Sequence, residues 1–266
     1  MAIDSTLFAA DIPAGTYAVG DVVQLTAIDG PANVRSGRGE AKLKNILVGQ
    51  IGAASPFWKI VIKNSDWIDE AESFTASVLG SSTAFDEESG AVQIGHDCKL
   101  TPNSGWQVYA VCVIGGSPTA ANSIFALIDV DYPQVAAVTS PKNAVGFPTS
   151  ISYEKALTSI AIGGMVGSTW TVESVDYFKA GYVYVLDAVE MIDSANVFGF
   201  IAFSNAAGMG GLQRIIPINN QSGGIRQAIR YASAVVKGPM DVKLKMFTTA
   251  AGSMTIKTIH DYVRKA

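Results

Sequence analysis

Apolar and polar residues alternate along most of this chain, which is the pattern of strands with one buried face. Between Val242 and Met246, apolar residues alternate with Lys243 and Lys245, and the segment Lys59 to Lys63 follows the same rule. Glycine, proline, aspartate and asparagine interrupt these runs, as in Asp29-Gly30-Pro31, and supply the backbone conformations that tight turns need. The pattern therefore predicts a chain made mainly of short strands joined by turns.

This patterning predicts eight strands in each half of the chain. In the first half they lie near 6–12, 21–28, 41–51, 57–63, 73–80, 91–94, 106–114 and 123–131, and in the second near 146–151, 157–166, 169–176, 181–191, 196–203, 213–219, 241–248 and 254–262. Eight antiparallel strands in about 130 residues is the size of a jelly roll, in which two four-stranded sheets pack face to face. The sequence thus predicts an all-β protein of two tandem eight-stranded jelly rolls, residues 1–133 and 134–266, linked by 133–145.

One segment, Gly224 to Val236, departs from the alternation. Its apolar residues, beginning with Ile225 and Ile229, recur mostly at three- and four-residue spacing. Ser222 precedes the run as an N-cap, and Gly238-Pro239 ends it. These features predict a short helix inserted in the second jelly roll.

Two pairs of similar segments indicate that the chain is a duplication. Leu43 to Ile51 resembles Leu157 to Met165 at a constant offset of 114 residues. The second pair, Val108 to Tyr132 and Val242 to Tyr262, passes through a Gly-Ser turn and ends at Asp-Tyr; its larger offset, 130 to 136, places an insertion in the second half. Two copies favour a duplicated domain over a solenoid, which needs three or more short units. Chance similarity between strand-rich segments is the alternative.

The composition is that of a chain with a large core. Hydrophobic residues make up 48% and charged residues 16%, which excludes intrinsic disorder. Apolar runs such as Val108 to Ile114 are far shorter than the roughly 20 residues of a membrane-spanning helix. No basic region precedes an apolar segment at the start, so we expect no signal peptide and a soluble protein made in the cytoplasm. Cys98 and Cys112 provide no disulfide framework and are expected to be free buried thiols.

Charge is unevenly divided between the halves. Residues 1–133 carry 7 Lys+Arg against 15 Asp+Glu, a net charge of −8, whereas residues 134–266 carry 12 against 8, a net charge of +4. Complementary potentials of this kind can set the register of neighbouring copies in an assembly. Surface variation without a function is the alternative.

Residues with catalytic or metal-binding chemistry are sparse. His96 and Cys98 would point the same way from a strand, but a tetrahedral metal site would lack its third and fourth ligands. His260 lies in the last predicted strand and is expected to be structural or solvent-facing. The sequence contains neither a Gly-x-Ser-x-Gly elbow nor a Walker lysine loop, and Gly208 to Gly211 is expected to form a loop. We therefore expect no cofactor.

Carboxylate clusters are the remaining candidates for chemistry. They are Asp66, Asp69, Glu70 and Glu72; Asp86, Glu87 and Glu88; and Asp187, Glu190 and Asp193. Two carboxylates facing one cleft about 5 to 9.5 Å apart would serve glycoside hydrolysis, and a larger set would serve Ca²⁺. No cluster has the spacing of a calcium-binding loop, so structural calcium stays open without a motif to support it, and solvated loop charge is the simpler interpretation. Scattered lysines in an acidic chain give no basis for nucleic-acid binding.

Two tandem eight-stranded units that lack a catalytic site resemble the double jelly-roll major capsid proteins of tailless icosahedral viruses. Among these, the chain is most similar to the small coat proteins of membrane-containing, corticovirus-like bacteriophages. The resemblance covers the whole chain and rests on length, duplication and strand count. The first half is also similar to a family of single-domain phage structural proteins, through Tyr17 to Val22, Arg35 to Gly39 and Lys59 to Asp66. Ordinary strand-and-turn chemistry is the alternative source of that second similarity.

The first resemblance implies a structural virion protein and not an enzyme. It implies a major capsid protein whose homotrimers form pseudo-hexameric capsomers that tile an icosahedral shell, with vertex proteins and an internal membrane as further partners and no catalytic, cofactor or metal residues. Arg264 and Lys265 would then meet anionic lipid if the C-terminus lies on the inner side of the shell. The second similarity implies instead a phage head decoration or fibre-associated protein. A carbohydrate-active β-sandwich that uses a carboxylate cluster is the third alternative.

Overall fold

The computed structural model of the chain describes most of the first half and the strands of the second. The described residues are 3–51, 56–67, 73–78, 91–118, 122–132, 149–160, 165–166, 171–178, 182–192, 197–204, 213–219, 226–228, 235–237, 240–248 and 252–264. Every regular element in these ranges is a β-strand, so the all-β prediction is confirmed there. The chain divides into two compact units, residues 1–136 with 163–167 and residues 137–162 with 168–266.

Eight strands form a single antiparallel sheet in the first unit. They are β1 (Ile3–Ile12), β2 (Val22–Asp29), β3 (Ala41–Ile51), β4 (Phe57–Asn64), β5 (Phe74–Val78), β6 (Ala91–Leu100), β7 (Trp106–Ile114) and β8 (Asn122–Asp131). Their order across the sheet is β5-β4-β7-β2-β1-β8-β3-β6, and the sheet curls so that β3 approaches β5. The pairing is nested: the first strand pairs with the eighth, the second with the seventh, the third with the sixth and the fourth with the fifth.

This nesting describes a long hairpin, with its tip between β4 and β5, that has curled up on itself. The β1–β2 pairing joins its two four-stranded halves, β5-β4-β7-β2 and β1-β8-β3-β6. Alternating burial on β4 and β7 leaves one face of the first half exposed to solvent, as expected for an antiparallel sheet covered on one side. By contrast, every residue from Asp4 to Ala10 on β1 and from Ser123 to Val130 on β8 is buried, so these two strands are covered on both faces.

The second unit contains two antiparallel sheets. Its strands are β9 (Thr149–Ile160), β10 (Thr171–Phe178), β11 (Tyr182–Ile192), β12 (Val197–Ser204), β13 (Arg214–Asn219), β14 (Arg226–Ala228), β15 (Val235–Lys237), β16 (Met240–Thr248) and β17 (Gly252–Arg264). One sheet has the order β10-β16-β12-β13, and the other has the order β14-β11-β17-β9, with β15 also paired to β11. Its described core includes Phe200 and Phe203 of β12 and Ile215 of β13, all fully buried.

The strand order of the second unit repeats that of the first. The sheet β10-β16-β12-β13 corresponds to β2-β7-β4-β5, and the sheet β9-β17-β11 with β14 and β15 corresponds to β1-β8-β3 with β6. The second pair of similar sequence segments joins equivalent strands, β7 with β16 and β8 with β17. The first pair does not, because Leu43 to Ile51 lies in β3 whereas Leu157 to Ile160 ends β9.

Two expectations for the second half need correction. The strands predicted at 146–151 and 157–166 are not separate in the described residues, because β9 runs from Thr149 to Ile160 and its middle also pairs with β17. The helix predicted over Gly224 to Val236 is not found in the described part of that segment, where β14 and β15 pair with opposite ends of β11. The β-branched pair Val235-Val236 suits such a strand, and apolar spacing alone does not separate a short helix from two short strands. Residues 229–234 and the predicted link 133–145 lie outside the described residues.

Candidate functional site

Four apolar residues with exposed side chains lie at one end of β2 and β7 in the first unit. Val19, Val22, Val113 and Ile114 are 71%, 60%, 39% and 55% exposed. Val22 begins β2 opposite Val111, and Val113 and Ile114 end β7. We call these four residues the apolar rim. Grouped exposure of large apolar side chains is characteristic of surfaces that bind another macromolecule, unlike single exposed residues.

A tight turn fixes the backbone of the apolar rim. The N–H of Gly20 donates to the carbonyl of Cys112 at 2.9 Å, and the N–H of Cys112 donates to the carbonyl of Asp21 at 2.8 Å. The Asp21 carboxylate accepts the N–H of Ala18 at 2.8 Å. Gly20 has a φ of 97°, which a residue without a Cβ adopts at little cost. Val19 is therefore held out at the tip of the turn by hydrogen bonds on both sides.

Opposite charges border the apolar rim. In the β2–β7–β4 register, Val22 lies opposite Val111 and Val111 lies opposite Lys59. Asp21 precedes Val22 and is exposed, whereas Lys59 is half-buried on the outer face of β4. A strip of valines thus separates an acid on the β2 side from a lysine on the β4 side.

At the other end of these strands, the loop between β2 and β3 is tied to β1 and to the end of β8. The Arg35 guanidinium pairs with the carboxylate of Asp4, which is 2% exposed. The backbone N–H of Arg35 donates to the Tyr132 hydroxyl at 2.8 Å. Burial lowers the pKa of Arg35, but the hydrogen bond and the charge of Asp4 outweigh the effect of burial, and the net pKa is raised. The guanidinium therefore stays protonated beside Asp4. Burial raises the pKa of Tyr132.

The first carboxylate cluster contributes Asp66 to the fold rather than to a cleft. Its two oxygens accept the backbone N–H of Thr101 at 2.6 Å and the Thr101 hydroxyl at 2.5 Å. Beside it, the rings of Trp67 and Trp106 meet edge to face with centroids 6.0 Å apart. Asp66 therefore fixes the turn before β7. Asp69, Glu70 and Glu72, and the whole cluster Asp86, Glu87 and Glu88, lie outside the described residues.

The His96 and Cys98 pair is placed on β6, and only the Cys98 side chain is described. Burial raises the pKa of the half-buried Cys98 thiol, and its sulfur is hydrogen-bonded to Trp67. A raised pKa disfavours the thiolate that metal binding requires. Within the described ranges, no group of three or more His, Cys, Asp or Glu could hold a metal ion. Both cysteines are free, as predicted, although only Cys112 is buried.

In the third carboxylate cluster, the register places Glu190 in a row of alternating charges. Glu190 of β11 lies opposite Arg226 of β14 and Lys257 of β17, and Lys257 lies opposite Glu154 of β9. Opposite charges at directly opposed positions stabilise a sheet. Asp187 lies where the β11–β17 register shifts, and Asp193 lies outside the described residues.

The remaining sequence candidates lie on β17 or outside the described residues. His260 is opposite Leu186 on one side and Ile151 on the other, and Arg264 ends the strand opposite Tyr182. Gly208 to Gly211 and Lys265 are not among the described residues. No helix in the described part of the chain is long and apolar enough to span a membrane.

A buried polar cluster on the first unit was not anticipated from the sequence. Asp129 of β8 is 1% exposed and accepts hydrogen bonds from the Ser5 hydroxyl at 2.7 Å and the Asn45 amide at 3.2 Å. The three residues occupy directly opposed positions on β1, β8 and β3. An aspartate within the otherwise apolar run Ile124 to Val130 was the one available signal. Because the cluster is closed to solvent, its chemistry serves packing rather than turnover.

Asp11 makes a second unanticipated contact, with a segment from far along the chain. One carboxylate oxygen accepts the Ser123 hydroxyl at 2.6 Å and the N–H of Met165 at 2.7 Å, and the other accepts the N–H of Val166 at 3.0 Å. The Met165 side chain is fully buried. We call this contact the Asp11 clamp, and it explains why 163–167 belongs to the first unit although β9 and β10 flank it in sequence. No local sequence pattern announces it.

Comparisons with known proteins give distant similarities only. No family model matches the chain, and no curated protein matches it. Among solved structures, a turret protein of Sulfolobus turreted icosahedral virus is 9% identical with a TM-score of 0.20, covering 98% of this chain and 99% of that one. A chain of the cowpea mosaic virus top component, a naturally occurring empty particle, is 11% identical with a TM-score of 0.24, covering 100% and 90%. The CBM22-1-CBM22-2 tandem domain of Paenibacillus barcinonensis Xyn10C is 10% identical with a TM-score of 0.21, covering 100% and 99%. TM-scores this low do not establish a shared fold.

Proposed function

We propose that this chain is a structural virion protein, a major capsid protein built from two tandem jelly rolls over residues 1–133 and 134–266. The observation that carries the proposal is the strand order. The nested pairing within the one curled eight-stranded sheet of the first unit supports a jelly roll, and the second unit repeats the same strand order. Jelly rolls form viral capsid domains, as well as lectin and cupin domains.

A fold alone does not assign a function, so the proposal also rests on the side chains, which favour assembly over catalysis. The described carboxylates with resolved partners serve packing: Asp66 fixes a turn, Asp129 lies in a closed cluster, and Asp11 forms the Asp11 clamp. The apolar rim, in contrast, is exposed at one end of β2 and β7, where hydrogen bonds fix its backbone. Acidic side chains that are used in internal hydrogen bonds, together with an exposed apolar surface, support an assembly protein. The proposal assigns no cofactor.

Charge supports a particular arrangement of the copies. Three chains that each contribute two jelly rolls would form a pseudo-sixfold capsomer, with the sides of the units as lateral interfaces. Units of net charge −8 and +4 would then alternate around the ring, so that every lateral contact joins an acidic unit to a basic one. The capsomers would tile a shell with vertex proteins at its corners.

The oligomeric state of the purified chain tests this proposal. We expect a homotrimer by native mass spectrometry and a ring of six lobes by electron microscopy, with the trimer weakening at high salt because the lateral potentials are screened. A chain that stays monomeric at all concentrations would contradict the proposal. Reversing Asp69, Glu70 and Glu72 together to lysine should weaken the trimer, and an unchanged trimer would remove the charge argument.

The proposal extends to an internal membrane beneath the shell. Arg264 ends β17 and is followed by Lys265, so the C-terminus would present two positive charges to anionic lipid. Particles that lack residues 264–266 should carry less lipid than full-length particles. An unchanged lipid content would remove the membrane contact and leave the capsid proposal intact.

A further inference from the structure

The apolar rim has the features of an interface that is still open in the single chain. Val19, Val22, Val113 and Ile114 remain 39% to 71% exposed, although hydrogen bonds between the turn 18–21 and the end of β7 fix their backbone. A rigid apolar surface loses little conformational freedom when it binds, which favours association. The rim lies at the end of the strands where β2 begins and β7 ends, away from the loop between β2 and β3.

The charges around the apolar rim make it complementary to itself. Asp21 adjoins Val22 on the β2 side, and Lys59 lies beyond Val111 on the β4 side. If a second copy is rotated by 180° about an axis that crosses the valine strip at right angles, its Lys59 comes beside this copy's Asp21 and its Asp21 beside this copy's Lys59. Such self-complementarity is what a two-fold contact requires, since the same patch serves both partners.

We propose that the apolar rim binds the apolar rim of a second copy of this chain about a two-fold axis, and that this contact joins neighbouring capsomers. The inference rests on the proposed function, because it takes the trimer as the unit that is joined. A trimer closes its own lateral interfaces, so a shell needs a separate contact between trimers. An anionic membrane is a poorer occupant of the apolar rim, because the acid Asp21 lies at its edge.

Aspartate substitutions at the apolar rim test the inference. In Val22→Asp and Val113→Asp, whose positions share the outer face of the sheet, a charge enters the contact, and we expect the association of trimers into larger assemblies to weaken by about tenfold or more. The trimer itself should remain, because in this proposal the rim contacts a neighbouring trimer and not another chain of the same trimer. Ser36→Asp is the matched control, since Ser36 is exposed in the loop between β2 and β3, at the opposite end of β2. Sedimentation velocity over a concentration series measures both steps.

Each outcome of this experiment is decisive. If both rim variants assemble as the wild type and the Ser36→Asp control do, or if the wild-type trimer never associates further, the inference is wrong while the proposed function stands. If the wild type forms no trimer, the proposed function fails first. Unchanged circular dichroism and urea midpoints would show that the variants are folded, as expected for substitutions at exposed positions.

A cross-linking variant tests the two-fold geometry independently of any loss of assembly. In Val22→Cys, the two new thiols of a two-fold pair lie on opposite sides of the axis, separated by the valine strip, so a bis-maleimide long enough to span the strip should give covalent dimers well above the wild-type yield. Ser36→Cys should stay at the wild-type yield, which accounts for the native Cys98. An assembled Val22→Cys protein that gives no additional dimers would rule out the two-fold contact.

Discussion

Gly49 on β3 lies against the ring of Phe125 on β8, where no side chain fits. A Cβ at Gly49 would be 2.5 Å from two atoms of that ring, and Phe125 is fully buried. We predict that Gly49→Ala lowers the free energy of unfolding by about 1–3 kcal/mol, because a packed ring has no room to move. Gly15→Ala is the control, since its Cβ would meet its nearest neighbour at an ordinary 3.9 Å. Equal urea midpoints for the two variants would contradict the β3–β8 register.

The buried Tyr132 makes the stability of the fold decrease as the pH rises into the alkaline range. Burial raises its pKa and also raises the pKa of Cys98 and Cys112. A group with a higher pKa in the folded state contributes stability below its unfolded pKa, and this stability is lost as pH rises through the folded pKa. We therefore predict falling urea midpoints from about pH 9 upward, where thiols and then tyrosine begin to ionise.

The variant Tyr132→Phe separates the tyrosine contribution from that of the thiols. It should lower stability at neutral pH by about 1 kcal/mol, because the Arg35 N–H loses its acceptor, and it should make the decline above about pH 10 shallower. A decline as steep as that of the wild type would show that Tyr132 does not carry the effect.

At the scale of elements, the Asp11 clamp holds the short segment between β9 and β10 on the first unit. In Asp11→Asn, an amide N–H₂ would face the N–H of Val166 or of Met165, both of which are donors. We predict that limited proteolysis within 161–170 becomes about tenfold faster, because local opening is favoured when such contacts are lost. Asp21→Asn is the control, because the Asp21 carboxylate accepts the N–H of Ala18 within its own turn and not an N–H of Met165 or Val166. Equal cleavage rates would contradict the clamp.

The charge row across β14, β11, β17 and β9 is a second feature of this scale. Reversing Glu190 would place three positive residues side by side, since Arg226 and Lys257 lie opposite it. We predict that Glu190→Lys lowers the free energy of unfolding by about 1 kcal/mol and Glu190→Gln by less, because like charges at opposed positions repel. Urea unfolding at low salt measures both variants. If the two are equally stable, the row does not contribute.

Sequence patterning predicted the elements best where one face of a strand meets water. β4 and β7 alternate between buried residues and half-buried or exposed ones, so their limits were anticipated to within a residue. β1 and β8 are buried on both faces, and their Ser5, Asp11 and Asp129 find partners on other strands. A period of two carries no information about such long-range pairs, which is why the buried cluster and the Asp11 clamp were missed.

At the scale of the molecule, the repeated strand order supports a duplicated architecture, while the sequence similarity supports it only in part. The segment Val108 to Tyr132 forms β7 and β8, and the segment Val242 to Tyr262 forms β16 and β17. These strands occupy equivalent places in the strand orders of the two units. The similar segments that begin at Leu43 and at Leu157 lie on strands that are not equivalent, β3 and β9. Alternating apolar residues recur in every strand, so short matches between them do not fix which strands correspond.

Quantitative mass spectrometry of purified particles that carry this protein, with a lipid assay on the same fraction, would distinguish a major coat protein from an accessory protein of another shell. A double jelly-roll coat protein must supply most of the protein mass of the particle, so we expect this chain to be the most abundant component and lipid to co-purify with it. If another protein outnumbers it and lipid is absent, the chain is a decoration or fibre-associated protein on a different shell. The capsid proposal would then be wrong.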